Sequence, residues 1–479
     1  MSSVRKSTYR ILSGPLGLEV ARFGTPLAVG MGLQTAFNLV DAYIIGELSD
    51  DIAGPALGAI GVCDQLAALG TIVSYGFTVA TGALLSQKAG KNDEDGVRRI
   101  TVQSLLFVLM LSLGFGALGL FGAGWLVRDA VGAKGLVADL GVPYLRVMMG
   151  GSFSIFLMLH LTSTLRALGS SKTPVVLMLA ANVLNFVLAV LLVYGDGPAP
   201  LPLAWGPPLA RALSLPRMEL MGAAWATLIA RVIVLPPLAI ILIKRLGVLR
   251  ERTPWRLDFA ILRTITKMGW PSSAQLVVRI VAMLFTHALV ARTFTTASNQ
   301  TATTALGIVF RLETMALFIG LGWGSAAQTF IGQNLGATNA SRAKNSGWYA
   351  AGFNAVTMAL LALVYWAFGR SLVSLFDDDP EVVTMAVDYF RWVGLSYVGL
   401  GTGVVLGSAI QGAGATRRAL VLDSAVVLLL QLPASVVAVS LPNATPTMLF
   451  QTVALTYFAF ALVHAYSYWR GRFLRAVVA

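Results

Sequence analysis

Several ionisable side chains of this chain stand inside long apolar runs. They are Asp41 in 20–46, Asp64 in 53–82, Arg231 in 220–243, Arg279 and His287 in 265–291, and Arg311 and Glu313 in 301–331. A charge placed in hydrocarbon costs a few kcal/mol or more, so each is a functional candidate as an ion or proton relay. Asp41 is the residue suited to trading a proton for a cation. Gln34 lies seven residues earlier on the same helical face, and Asn38 stands between them, which makes a polar stripe. Arg311 and Glu313 are two apart, on different faces, and do not pair with each other. Arg279 and His287 are eight apart on roughly one face. An unpaired cation beside a solute cavity would repel cationic solutes, so Arg279 is expected to neutralise a carboxylate such as Glu313, or else to meet a zwitterionic or anionic solute. His287 is of the type that titrates near neutral pH. A packing role is the plainer reading for it, as for His160 and His464.

These residues must be carried by membrane helices. The chain has 479 residues, 56% hydrophobic and 12% charged, with a mean hydropathy of +0.75. Soluble chains carry about 25% charged residues, so too few charges are present to solvate a surface of this size. That excludes a soluble multi-domain enzyme. A spanning helix needs about 20 mostly apolar residues. The runs 100–127, 147–165, 173–195, 346–369 and 392–416 qualify without any charge, and 424–469 divides at Pro442 and Pro446 into two. With the five charge-bearing runs above, the total is twelve. The runs are continuous, which excludes alternating barrel strands. No cleavable signal is expected, since 1–10 is polar and basic and the first apolar run reads as a span.

The net charge of +13 could mean nucleic acid in a soluble protein, but here it fits basic cytoplasmic loops. With the N-terminus inside, 24 of the 35 Lys and Arg fall in inside segments and 7 in outside ones. A miscounted helix would scramble that asymmetry. Both termini are therefore expected in the cytoplasm of a multi-pass inner-membrane protein. The acidic residues Asp377, Asp378 and Asp379 precede Pro380 and read as a helix start. The single Cys63 excludes a disulfide framework and Cys-based zinc or iron–sulfur centres.

A shift of about 245 residues aligns the two halves. Pro26 meets Pro271, Gln87-Lys-Ala-Gly90 meets Gln333-Asn-Leu-Gly336, and Arg166-Ala-Leu-Gly169 meets Gln411-Gly-Ala-Gly414. Glu313 aligns with Asp64 within a residue, so the two could face one another as seam-lining or gating groups. Six spans separate equivalent points, so the repeats are parallel and related by an axis along the membrane normal. The expected organisation is an all-α integral membrane protein with a six-helix N-lobe over 1–243, a cytoplasmic linker over 244–264 and a six-helix C-lobe over 265–479. Two equivalent bundles with a seam between them suggest a rocking transporter.

The words Asn38-Leu-Val-Asp41-Ala-Tyr-Ile-Ile-Gly46, Ile308-Val-Phe-Arg311-Leu-Glu313 and Ile331-Gly-Gln-Asn-Leu-Gly-Ala337 resemble those of the multidrug and toxic compound extrusion (MATE) transporters, and the match runs from about 18 to 469. Asn185-Phe-Val-Leu-Ala189 and Gly222-Ala-Ala-Trp-Ala-Thr227 are similar to that family's fifth and sixth helices. The resemblance implies a V-shaped pair of lobes exporting amphipathic, usually cationic drugs or metabolites by antiport with H⁺ or Na⁺. It places a proton-coupling cluster on Gln34, Asp41, Asn185 and Thr227. A second carboxylate of that cluster would fall on Ala189. The carboxylates of a C-lobe sodium site would fall on Arg279 and near Leu400, which speaks against such a site.

The expected function is thus a monomeric secondary antiporter with Asp41 as coupling group and no organic cofactor or resident metal. Its partners are a small amphipathic solute and the bilayer, not nucleic acid. The alternative is a flippase of a lipid-linked, anionic or zwitterionic solute in the same superfamily. A membrane-embedded enzyme is the third reading, and it lacks clustered catalytic groups: the three His are scattered, and no H-E-x-x-H or P-loop occurs.

Overall fold

The computed structural model describes residues 3–246, 255–296 and 298–475. Among these, all regular structure is helical. A short α1 (Ser3–Ser13) leads into the N-lobe, formed by α2 (Leu16–Gly46), α3 (Asp50–Gly90), α4 (Glu94–Trp125), α5 (Gly135–Gly150), α6 (Ser152–Ala167), α7 (Lys172–Tyr194), the short α8 (Gly206–Ala212) and α9 (Glu219–Leu246). The C-lobe contains α10 (Phe259–Thr293), α11 (Thr301–Gly336), α12 (Ala340–Val373), α13 (Pro380–Val393), α14 (Tyr397–Gly412), α15 (Thr416–Val426), α16 (Leu432–Ser440) and α17 (Pro446–Trp469). Eleven spans are long and apolar enough to cross a membrane, with α13–α14 and α15–α16 each counted as one. The pair α5 and α6, bent by 40° at Gly151, makes a twelfth.

The bounds differ from the uncharged runs in an instructive way. The fourth span starts at Gly135 and carries Arg146, the tenth starts at Pro380 and carries Arg391, and the eleventh starts at Thr416 and carries Asp423. Arg146 and Arg391 are exposed and Asp423 is paired with Arg279, so none of these charges stops its helix. Asp379 caps α13 by accepting the Glu381 N–H at 2.8 Å. Pro433 lacks the N–H that would bond the Leu429 carbonyl, and the chain relaxes over Val427–Gln431 into a wider π-helical turn. Of the expected linker, 247–254 lies outside the described residues. Its described end is tied down at Asp258. That side chain caps α10 through the Ala260 and Ile261 N–H groups and pairs with Arg99 of α4. The Ile261 N–H, with Arg99 and Ala260, holds the Asp258 carboxyl below the usual carboxylate range, so the tie persists at neutral pH and is lost only on strong acidification.

The cores reveal where the lobes meet. At the end carrying the α2–α3 and α10–α11 turns each lobe has its own core: one runs from Ile44 to Ala226, the other from Val290 to Ala454. At the opposite end, where most of the basic residues lie, the cores merge across the seam. Phe23 and Leu27 of α2 pack with Trp323 and Phe330 of α11, and Leu84 of α3 packs in one core with Ile265 of α10. The lobes are closed at the basic end and separate at the other.

The closure obeys the sequence repeat contact by contact. A Cβ on Gly90 would stand 2.0 Å from the Gln333 carbonyl oxygen, and one on Gly336 would stand 2.1 Å from that of Gln87. The Gln87 amide donates to the Gly412 carbonyl at 3.3 Å, and its repeat partner Gln333 donates to the Ala167 carbonyl at 2.8 Å. Both pairs are exchanged by the same 245–246 residue shift, so the pseudo-twofold axis passes through the α3–α11 crossing. The turns beside it repeat too. Asn92 and Thr338 are left-handed (φ 57° and 61°), and the next residues, Asp93 and Asn339, cap the following helices.

Gly90→Val forces a side chain into backbone and should destabilise the closed end by about 1–3 kcal/mol. The expected result is a lower melting temperature, together with faster maleimide labelling of a Gln87→Cys probe in a Cys63→Ala background. Gly336→Val should reproduce both effects.

Candidate functional site

The N-lobe site is assembled by three helices. Asp41 sits five-sixths of the way along α2, and Asn185 of α7 points its amide nitrogen at both carboxylate oxygens, at 2.9 and 3.0 Å. The Asn185 carbonyl oxygen in turn accepts the Thr227 hydroxyl of α9 at 3.1 Å. All three side chains are half-buried. Gln34 lies on α2, two turns before Asp41, and is not part of this chain of hydrogen bonds. The side chain of Asn38 lies outside the described residues. Ala189 is core, 2% exposed. The second carboxylate comes from another helix: Asp64 of α3 is within electrostatic reach of Asp41, and Arg231, one turn after Thr227, acts on both. The cluster therefore carries two acids and one base.

This arrangement can take up a proton by reversing its hydrogen bonds. With Asp41 ionised, the Asn185 amide donates to it and its carbonyl accepts from Thr227. With Asp41 protonated, its O–H needs an acceptor. Turning the Asn185 amide over supplies the carbonyl to Asp41 and offers the NH₂ to the Thr227 hydroxyl, which accepts as readily as it donates. The chain has two states of opposite polarity, the second with a single Asp41–Asn185 bond in place of the forked one.

The C-lobe differs from expectation in its pairing. Arg279 does not meet Glu313. Its Nε donates to Asp423 Oδ2 of α15 at 2.7 Å. Asp423 is fully buried and escaped notice because it borders an uncharged run. Its other oxygen accepts the Gln275 amide at 2.8 Å and faces His464 Nε2 at 3.0 Å. Glu313 is instead surrounded by phenols, accepting from Tyr389, Tyr397 and Tyr457. Asp64 and Glu313 do not face each other across the seam. Asp64 accepts from Tyr144 at 3.3 Å inside its own lobe, and Tyr144 and Tyr389 are exchanged by the repeat, so each lobe holds one copy of an acid–tyrosine pair. His287 packs its ring 5.9 Å from that of Phe310, and Arg311 is exposed, with no ion pair among the described residues.

Arg279, Glu313, Thr286, Thr314 and Gln431 line a partly open cavity inside the C-lobe, among apolar neighbours such as Met283, Phe310 and Phe460. By the repeat, Thr286 stands where α2 has Asp41, and Gln431 where α7 has Asn185. The cavity is thus the C-lobe mate of the acidic N-lobe site, with the titratable group replaced by a hydroxyl. Sequence spacing could not have found the tyrosine cage or Asp423, because their partners lie 76 to 148 residues away.

Arg279→Gln leaves the Asp423 carboxylate without its cation and should cost about 3 kcal/mol. Adding Asp423→Asn should recover most of it, so in thermal melts the double variant is expected to outlast the single one.

The MatE family model matches residues 26–191 and 275–437, covering both lobes. A probable multidrug resistance protein of Bacillus subtilis, YpnP, is 27% identical over 87% of this chain and 86% of its own length. A FAD transporter of Shewanella oneidensis is 25% identical over 89% of each chain. Among solved structures, a MOP superfamily transporter from Pyrococcus furiosus superposes with a TM-score of 0.83 over 97% of this chain and 98% of that one, at 21% identity. With twelve spans in two lobes related by the repeat, the chain belongs to the MatE family of membrane transporters.

Proposed function

We propose that this transporter is a proton-coupled antiporter that exports amphipathic cations by alternating access, with Asp41 as the coupling carboxylate. The observation that carries the reading is the Asp41–Asn185–Thr227 chain, whose polarity reverses when Asp41 takes up a proton. A cationic solute and a proton then compete for one negative charge: the solute neutralises ionised Asp41, and protonation releases it. Proton coupling is favoured over sodium because both Asp41 oxygens face an N–H donor, whereas a hard cation needs converging oxygen ligands.

The basic closed end is read as cytoplasmic by the positive-inside rule. The chain then lies in the inner membrane with both termini in the cytoplasm, as a monomer, in its outward-facing state. In the other half of the cycle the α3–α11 closure opens, and the separate cores at the far end come together. No covalent step is required.

A second reading, export of an amphipathic anion, is supported by one feature. Arg166 of α6 has a buried Nε with no hydrogen-bond partner and no ion pair among the described residues. The Shewanella oneidensis relative named for FAD is consistent with it.

The two are separated in proteoliposomes with an imposed pH gradient. Asp41→Asn is expected to reduce gradient-driven ethidium export at least tenfold at normal expression and stability. Thr227→Ala, which removes one neutral hydrogen bond worth about 1 kcal/mol, should reduce it about fivefold. Full ethidium export by Asp41→Asn overturns the coupling assignment. Flavin nucleotide export that Arg166→Gln abolishes would favour the anion reading.

A further inference from the structure

At the basic closed end, α1, the start of α2, the α6–α7 turn and the end of α9 surround a partly open cavity. Arg10, Arg22, Lys172 and Arg245 line it, with Glu19 as the acid among them. Glu19 holds Arg10 at 3.1 Å and Arg22 at 3.4 Å. Lys172 and Arg245 have no ion pair among the described residues. Lys172 is the first residue of α7, so its cation stands where the helix already presents its positive end. A cation there is unfavourable unless an anion joins it.

The same helix start has donors to spare. Ser171, at the N-cap, is 7% exposed and lines the cavity, yet it makes no capping bond. Its hydroxyl has no hydrogen-bond partner among the described residues. The Lys172 and Thr173 N–H groups precede the first intrahelical bond and have no backbone partner among those residues either. Free N–H groups at a helix start, a buried unpartnered hydroxyl, an ammonium and a guanidinium are together the donor set of an oxyanion.

We propose that this cavity binds a phosphate group, carried by a lipid headgroup or by a soluble ester. A phosphate monoester presents three strong acceptor oxygens and nearly two negative charges, which answers both unpaired cations; a carboxylate answers one. The walls tie the site to the closure. Phe330, from α11 of the other lobe, lines the cavity. α1 is held to the α6–α7 turn by Ser7 Oγ, which donates to the Leu168 carbonyl at 2.9 Å. It is gripped from the other lobe by Arg342, whose guanidinium donates to the Ile11 carbonyl at 3.1 Å and to that of Gly14. The cavity is complete only while the basic end is closed, so a bound phosphate favours that state. Which solute or ion is exported does not enter the inference.

The test measures binding of dioctanoyl phosphatidic acid, dioctanoyl phosphatidylcholine and glycerol phosphate to the full-length protein in neutral detergent at constant salt. Phosphatidic acid is expected to bind at least about tenfold more tightly than phosphatidylcholine. Glycerol phosphate binding as tightly as phosphatidic acid assigns a soluble ester, and weaker binding assigns a lipid headgroup. Lys172→Gln combined with Arg245→Gln should weaken phosphatidic acid at least about tenfold. Ser171→Asp places a carboxylate at the α7 start and should weaken it similarly, while raising the melting temperature of the ligand-free protein, so misfolding is not the cause. Binding should also slow maleimide labelling of the Gln87→Cys probe in the Cys63→Ala background. No binding of either phosphate ester, equal binding of the two lipids, or equal phosphatidic acid binding by wild type and these variants overturns the proposal. Labelling that binding leaves unchanged overturns its link to the closure.

Discussion

The α3–α11 crossing is the constraint on which the structure depends. Two glycines let two backbones approach to distances at which no side chain fits, and two glutamines, each buried, spend their amides on carbonyls of the other lobe. Such a contact is available only to small residues, and in a membrane it replaces the hydrophobic drive that water would supply. Because the pseudo-twofold axis runs through it, the two glycine contacts and the two glutamine bonds are exchanged by the repeat. The lobes are thus hinged about a point, not glued along a face, and merged cores at one end with separate cores at the other follow from that.

Chemistry sits on either side of this hinge and is deliberately unequal. The repeat copies positions, not residue types: an acid–tyrosine pair is retained in both lobes, but Asp41 becomes Thr286 and Gln34 becomes Arg279. The N-lobe keeps an accessible carboxylate whose neighbours can reverse their hydrogen bonds. The C-lobe buries its carboxylate under a guanidinium, an imidazole and an amide. Duplication supplies two scaffolds, and divergence of a handful of polar residues assigns them different work.

Twelve spans, the equivalence of the halves and the family were legible in the sequence because each depends on a property summed over many residues. Hydropathy over twenty positions is robust, and a 245-residue repeat leaves several independent words. The span ends were less legible, since Arg146, Arg391 and Asp423 interrupt uncharged runs without ending helices. Asp41, Asn185 and Thr227 could be named through resemblance, but that Asp64 of another helix lies within electrostatic reach of Asp41 could not, because only packing brings α2 and α3 together there.

What the sequence determined alone was that charges such as Asp41, Glu313 and Arg279 must be satisfied, since hydrocarbon offers them no water. It did not determine by what. Arg279 takes Asp423 in place of Glu313 and Glu313 takes three phenols, because partners are chosen by which helix faces meet. Those faces are fixed by glycine-sized contacts at the lobe crossing, by the bend at Gly151 and by the π-helical turn before Pro433, and no local pattern encodes the rotation they impose on helices a hundred residues apart.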